Sequence, residues 1–378
     1  MPALPTPCTD GERVFAYLAT YGLVALDLDG QLLWEKRFPH PGNGFGVGLS
    51  PLLADGKVIL VRDGAPEAAI FAFDAEDGSE AWKIDRFGFI ESHGSPFLWK
   101  NAGRTELIVG GTGQVCSFDP SNGKPLWNVT GVTIFNCTTP TMDAESLYFA
   151  GWSTGNSSGR SFWEAGFGRS LELSDAEVAD PKLIFKRMDA NGDGILVLDE
   201  IPESRFKDAF AFLDEDENGT LDEGEVVGDD SRSKPPGKNV MLAIARGGSG
   251  DVTETHVRWK WSRGLPYVAS PLLYGGRVWL VKAGGMVSCL DAESGKRILD
   301  RERLEDRSEY YMSPVGAFGH VILGSAEGTL YILKADSDEL EIVHQADFGE
   351  GLFATPAIVD GKVYLRTERT LWAFGAKD

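Results

Sequence analysis

Short runs of alternating apolar and polar residues fill most of the chain, and they recur with a near-constant period. A Ser-Pro or Thr-Pro step stands at Thr6, Ser50, Ser95, Thr139, Ser270, Ser313 and Thr355. The spacings between them are 44, 45, 44, 131, 43 and 42 residues. Each step is followed by a β-branched or aromatic run: ERVFAYL (12–18), KVILV (57–61), TELIVGG (105–111), SLYFAGW (146–152), RVWLV (277–281), HVILG (320–324) and KVYLR (362–366). A second run follows in every copy, among them GLVALDL, AIFAFDA, QVCSFDP, MVSCLDA and TLWAFGA. Alternation with period two is the pattern of strands that bury one or both faces, and the Gly-rich steps between runs are turns.

A repeat of about 40–50 residues built from short strands predicts a β-propeller, each copy forming one blade that buries its faces only against its neighbours. The expected fold class is all-β: a seven-repeat propeller of four-stranded blades with a small α-helical insertion in the fourth. The last blade is expected to be incomplete, because the chain reaches Asp378 just after TLWAFGA. Only Met1 to Pro5 precede the first copy, so the expectation is that a closing strand or blade lies upstream of this chain.

The long spacing exceeds the others by about 87 residues, and its chemistry differs from the rest. Residues 189–200 read DANGDGILVLDE and residues 214–225 read DEDENGTLDEGE. Each has Asp first, Asp or Asn at positions three and five, Gly at six and Glu at twelve. A hard cation wants six or seven oxygens; the Gly allows a sharp left-handed turn, and the last Glu closes the cage with two oxygens. Both stretches resemble the calcium loops of EF-hands. The resemblance implies two calcium ions. The first would be held by Asp189, Asn191, Asp193, the Ile195 carbonyl and Glu200, the second by Asp214, Asp216, Asn218, the Thr220 carbonyl, Asp222 and Glu225. The second loop offers four carboxylates against three, so it is expected to bind more tightly. Leu196 and Leu221, both at position eight, are placed to join the loops by a two-stranded bridge. Ahead of the loops, Asp180 and Pro181 read as a helix start. Ile184, Phe185 and Met188 would share one helical face, and Phe206, Phe210 and Leu213 another. The aromatics Trp152, Phe162, Trp163 and Phe167 of the exit loop would dock the insertion on the propeller. Expected boundaries are 5–156 for the first part of the propeller, 174–228 for the insertion and 238–378 for the remainder.

Composition narrows the function classes. Hydrophobic residues make up 42% of the 378, enough for a packed core. The net charge of -21 argues against a nucleic-acid partner, which needs a basic face. No stretch approaches the ~18 apolar residues of a membrane helix, and the start carries neither the basic nor the apolar region of a signal peptide. The four cysteines, Cys8, Cys116, Cys137 and Cys289, are scattered without metal-ligand spacing and read as small core residues in preference to disulfides.

The ends of the repeats carry a further signature: Asp27, Gly30 and Trp34; Asp74, Gly78 and Trp82; Asp119, Gly123 and Trp127. A fifth-copy version has Asp291 and Gly295 with Leu299 in place of Trp. This spacing resembles the repeat of pyrroloquinoline quinone (PQQ) propellers, the quinoprotein dehydrogenases. It is also similar to a non-catalytic lipoprotein propeller of the outer-membrane assembly machine. In the chain itself Asp and Gly shape a turn, and Trp is an apolar plate between blades. The resemblance implies an extracytoplasmic setting. Dehydrogenases of this type place adjacent cysteines over the quinone, and no two cysteines are adjacent here. PQQ is therefore not expected and no catalytic residue is assigned. The expected function is a calcium-binding, non-catalytic scaffold, with a divergent PQQ-dependent alcohol or sugar dehydrogenase as the alternative. The residues before each Ser/Thr-Pro would line one mouth of the channel. Glu91, His93, Asn136, Tyr267 and Tyr310, with Phe45, Tyr311 and Phe353 nearby, form a candidate site there for an unidentified protein, peptide or glycan.

Overall fold

A computed structural model describes residues 5–18, 21–39, 48–63, 68–86, 89, 92–101, 103–153, 168–208, 210–214, 218–227 and 237–375. Among the described residues seven blade sheets, mainly antiparallel, follow one another along the chain, with one two-stranded sheet inserted. Blade 1 comprises Cys8–Thr9, Arg13–Leu18, Gly22–Asp27 and Leu32–Arg37, and blade 2 Leu52–Ala54, Lys57–Arg62, Ala69–Asp74 and Glu80–Asp85. Blades 5 and 6 repeat the pattern. Blade 7 has three strands, Ala357–Val359, Lys362–Arg366 and Leu371–Phe374. First strands of neighbouring blades touch one another, so they form the inner layer. The second and third strands hold the core: Val58, Ile59, Leu60 and Val61 are all buried, because both faces of blade 2 are covered.

The Ser/Thr of each repeat step is a blade-to-blade latch. The backbone N–H of Thr6 donates to the Ser50 hydroxyl (2.9 Å), and that of Ser50 to the Ser95 hydroxyl (3.1 Å). The bond recurs from Thr139 to Ser270, from Ser270 to Ser313 and from Ser313 to Thr355. A short hydroxyl followed by Pro suits this position, since it brings an acceptor near the neighbouring main chain while Pro holds its own backbone extended.

The Asp, Gly and Trp of the repeat ends form a second link. Asp74 accepts the Glu76 N–H, and its carbonyl accepts the Gly78 N–H, closing the turn. Gly78 has φ +74°, and a Cβ there would stand 2.7 Å from the indole of Trp34 in the preceding blade. The Trp34 indole N–H donates to the Ala75 carbonyl of the same turn. Trp82 docks likewise on Gly123 and Pro120, and Trp259 on Gly295 and Ala292. The glycine is required twice over, for its backbone angle and for the ring lying on it.

Blade 4 is interrupted. Its second strand, Ser146–Gly151, pairs in continuous register with its third, Val240–Ala245, although residues 152–239 lie between. Asn239 clamps the base of this excursion: its Oδ1 accepts the Ser153 N–H (2.9 Å) and its Nδ2 donates to the Ser153 carbonyl (3.1 Å). The inserted segment has its own core, made of Leu171, Ile184, Phe185, Met188, Leu196, Ile201, Phe206, Leu213, Leu221 and Val226. That core begins at Leu171, ahead of the expected boundary at 174. The expected helix from Pro181 is observed as Lys182–Met188, and an additional short helix, Asp175–Ala179, precedes it. Phe162, Trp163 and Phe167 lie outside the described residues.

Blade 3 gains an unexpected fifth strand. Gly250–Asp251, from the long turn of blade 4, runs parallel to Pro125–Thr130 and covers that edge.

Candidate functional site

The two acidic loops share one internal architecture. In the first, Asp189 Oδ1 accepts the N–H groups of Gly192 (2.8 Å) and Asp193 (3.1 Å), and its Oδ2 accepts that of Gly194 (3.0 Å). Asp193 accepts from Ile195, and Glu200 reaches back to the N–H of Val197 (3.1 Å). In the second loop Asp214 accepts from Asn218 (3.0 Å) and Gly219 (2.8 Å), Asn218 accepts from Thr220, and Glu225 accepts from Asp222 (2.9 Å). Four of these bonds recur position by position: from the N–H groups of positions five and six to the first Asp, from position seven to the side chain at five, and from position nine to the Glu at twelve. The glycines at position six have φ +85° (Gly194) and +81° (Gly219), the left-handed turn that only Gly adopts freely. Ile195–Leu196 pairs antiparallel with Leu221–Asp222, with Leu196 opposite Leu221 and both buried.

The donors suit a hard cation: carboxylates, an amide oxygen and main-chain carbonyls, with no sulfur or imidazole. Asn191 belongs to this set, and its Oδ1 accepts the Asp193 N–H (2.8 Å). Asp216 lies outside the described residues. Among the described residues no three His, Cys, Asp or Glu side chains meet at one point.

The channel-mouth residues separate into two groups. Asn136 is buried: its Nδ2 donates to the Thr138 carbonyl, and its own carbonyl accepts the N–H groups of His93 (2.7 Å) and Gly94 (3.0 Å). Tyr310 is buried and donates to the Asp306 carbonyl (2.8 Å). Burial, with Tyr331 and Asp306 adding to it, holds its phenol well above the usual range. Both side chains are buried and hold connecting segments in place. The reason is geometric: the chain turns sharply before each Ser/Thr-Pro and needs internal hydrogen bonds there. His93 is half-buried beneath Gly48. Glu91 and Phe45 lie outside the described residues.

The exposed members are aromatic. Tyr267 (43% exposed) meets Trp152 edge-on at 5.5 Å, and the Lys282 ammonium lies 5.0 Å from the Trp152 ring. Tyr311 (37%) and Phe353 (46%) stack at 5.9 Å. In an antiparallel blade the turn between strands two and three lies at the same end as the exit to the next blade. The insertion therefore rises from the face that carries these aromatics. Trp152 and Lys282 were not anticipated as partners of Tyr267. The signal was present in principle, since both sit at the ends of second strands, but only blade packing brings them to one connector.

The sequence model described as outer membrane protein assembly factor BamB matches residues 3–133 and 72–179. Among solved structures, BamB from Moraxella catarrhalis superposes with a TM-score of 0.56 at 13% identity, covering 94% of this chain and 79% of that one. This chain is a β-propeller that matches the PQQ-repeat model over residues 3–179. The computationally designed Ika8 protein aligns over 99% of this chain and 96% of its own, with a TM-score of 0.42 and 11% identity. No curated protein matches the sequence. Within this propeller none of the four cysteines forms a disulfide; Cys116 and Cys289 are buried and Cys8 and Cys137 half-buried. No helix among the described residues is long and apolar enough to cross a membrane.

Proposed function

We propose that this propeller is a non-catalytic, extracytoplasmic binding scaffold whose inserted unit takes up two calcium ions through EF-hand loops. The observation that carries the calcium reading is the recurrence of the same hydrogen bonds at the same positions in both loops, joined through Leu196 and Leu221. Asp189, Asn191, Asp193, Ile195 and Glu200 would hold one ion, and Asp214, Asp216, Asn218, Thr220, Asp222 and Glu225 the other. A cation supplies the positive charge that clustered carboxylates lack, and stabilises the fold that presents them. Extracytoplasmic modules of this kind bind calcium at about 10⁻⁴–10⁻³ M. The scaffold reading rests on the repeat type, the exposed aromatics of one face, and the lack of adjacent cysteines in the sequence.

Calcium titration calorimetry tests the metal reading. Two sites are expected, with Glu225→Ala removing the tighter and Glu200→Ala the weaker. No heat from the wild type at millimolar calcium would refute it. For the scaffold reading, the protein is incubated with PQQ and calcium, desalted, and examined for quinone absorbance and dye reduction with alcohols. No retained quinone is expected; one quinone per chain with turnover would make it an enzyme.

A further inference from the structure

A cleft of about 770 Å³ separates the fourth strand of blade 2 from the third and fourth strands of blade 3. Ile84, Phe118 and Leu126 give it apolar walls, and Gln114 and Asn128 add amide groups. Arg86 is part of the same lining, with its side chain only 2% exposed. Its Nε donates to Asp63 Oδ1 (2.6 Å) and its Nη2 to Oδ2 (3.0 Å). The Phe89 ring lies 3.7 Å from the guanidinium carbon. Gly111 makes room for the pair: a Cβ there would overlap Nη2 and stand 2.8 Å from Asp63 Oδ2. The guanidinium is thus fixed on one edge, while Nη1, also buried, has no acceptor among the described residues. A buried charged donor without an acceptor is rare in native proteins and calls for a partner.

We propose that this cleft binds an extended peptide segment, one of whose main-chain carbonyls accepts from Arg86 Nη1. The charge balance selects a carbonyl over a carboxylate. Asp63 already matches the Arg86 charge, Asp85 and Asp251 share the lining, and the chain carries a net charge of -21. A second carboxylate would be repelled, whereas a carbonyl supplies the acceptor with no charge. The side-chain amides of Gln114 and Asn128 can pair with further peptide groups. Apolar side chains of the segment would lie on Ile84, Phe118 and Leu126, and basic ones near Asp85 and Asp251. The volume falls within the range of about 300–1,000 Å³ usual for ligand sites. The proposal is independent of calcium.

The test is calorimetric titration of the full chain, at about 0.15 M salt to screen diffuse charge attraction. The probes are acetylated, amidated hexapeptides of alternating Val-Ser, Val-Lys and Val-Glu, with sodium acetate as a free carboxylate. Val-Ser and Val-Lys are expected to bind, and Val-Glu and acetate are not. Arg86→Lys should weaken binding about tenfold or more, since it withdraws a charged donor. Asn128→Trp fills the cleft while leaving the Arg86–Asp63 pair intact, and should abolish binding even if Arg86→Lys fails to fold. Failure of both Val-Ser and Val-Lys to bind the folded wild type would overturn the proposal. So would binding that survives Asn128→Trp, or a preference for Val-Glu or acetate.

Discussion

At the scale of single residues, polar groups decide how the blades are tied together. Glu106 is fully buried and takes four donors: Asn101 Nδ2 (2.8 Å) and Arg104 Nε (2.6 Å) on one oxygen, Ser117 Oγ (2.7 Å) and Trp127 Nε1 (2.6 Å) on the other. Trp127 thus bonds within its own blade, whereas Trp34, Trp82 and Trp259 bond to the next blade's turn. The sequence signature marks Trp127 as a wedge but is silent on its acceptor, which lies 21 residues away on another strand. Glu106→Ala strands the Trp127 and Ser117 donors, and is expected to lower stability by about 3 kcal/mol in urea unfolding. The cysteines behave as the core residues their scatter suggested. Burial pushes the Cys289 thiol up to about 12 and the Cys8 thiol up to about 11. Iodoacetamide applied to the native protein should leave Cys116 and Cys289 unmodified, and mass spectrometry should find both alkylated only after denaturation.

Among elements, strands were far more legible than helices. The six-residue run KVILVR reads as a continuous apolar stretch bounded by charges, because both faces of that strand meet another blade. In the insertion the spacing of Ile184, Phe185 and Met188 marks the helix Lys182–Met188, whereas the five residues of Asp175–Ala179 are too few for a 3.6-residue period to declare itself. The helix Asp175–Ala179 was missed although its signal was present: Ser174 and Glu177 form a capping box. The Ser174 hydroxyl (2.6 Å) and then its N–H (2.8 Å), donating to Glu177, hold that carboxyl below its usual range, with Arg187 adding to the effect against partial burial. The folded-state pKa is lowered. The box therefore contributes its full stability above the unfolded carboxylate pKa of about 4.3 and loses it as pH falls through the lowered folded value. Amide protection factors in Asp175–Ala179, taken relative to the intrinsic exchange rate at each pH, should fall on acidification from about pH 6 to pH 3. Ser174→Ala should destabilise this helix by about 1 kcal/mol and flatten that pH dependence.

For the whole molecule, the repeat period alone was enough to specify seven blades and the interruption of the fourth. The parallel fifth strand of blade 3 and the Arg86–Asp63 pair had no such signature, since each joins segments that meet only when blades pack. The continuous register between Ser146–Gly151 and Val240–Ala245 implies that the inserted unit is dispensable to the blade. Replacing residues 167–234 with a short Gly/Ser linker should leave one cooperative thermal transition for the propeller; loss of cooperativity would show that the insertion supports the blade core. The latches have a consequence that reaches beyond this molecule. Ser50 donates its N–H to one neighbour and accepts the N–H of the other on its hydroxyl, and so does Ser270. A repeat built this way carries both halves of the joint, so an in-frame duplication of one copy would arrive already complementary to the repeats on either side. Such a gene can lengthen or shorten by whole repeats without any compensating change at the seams.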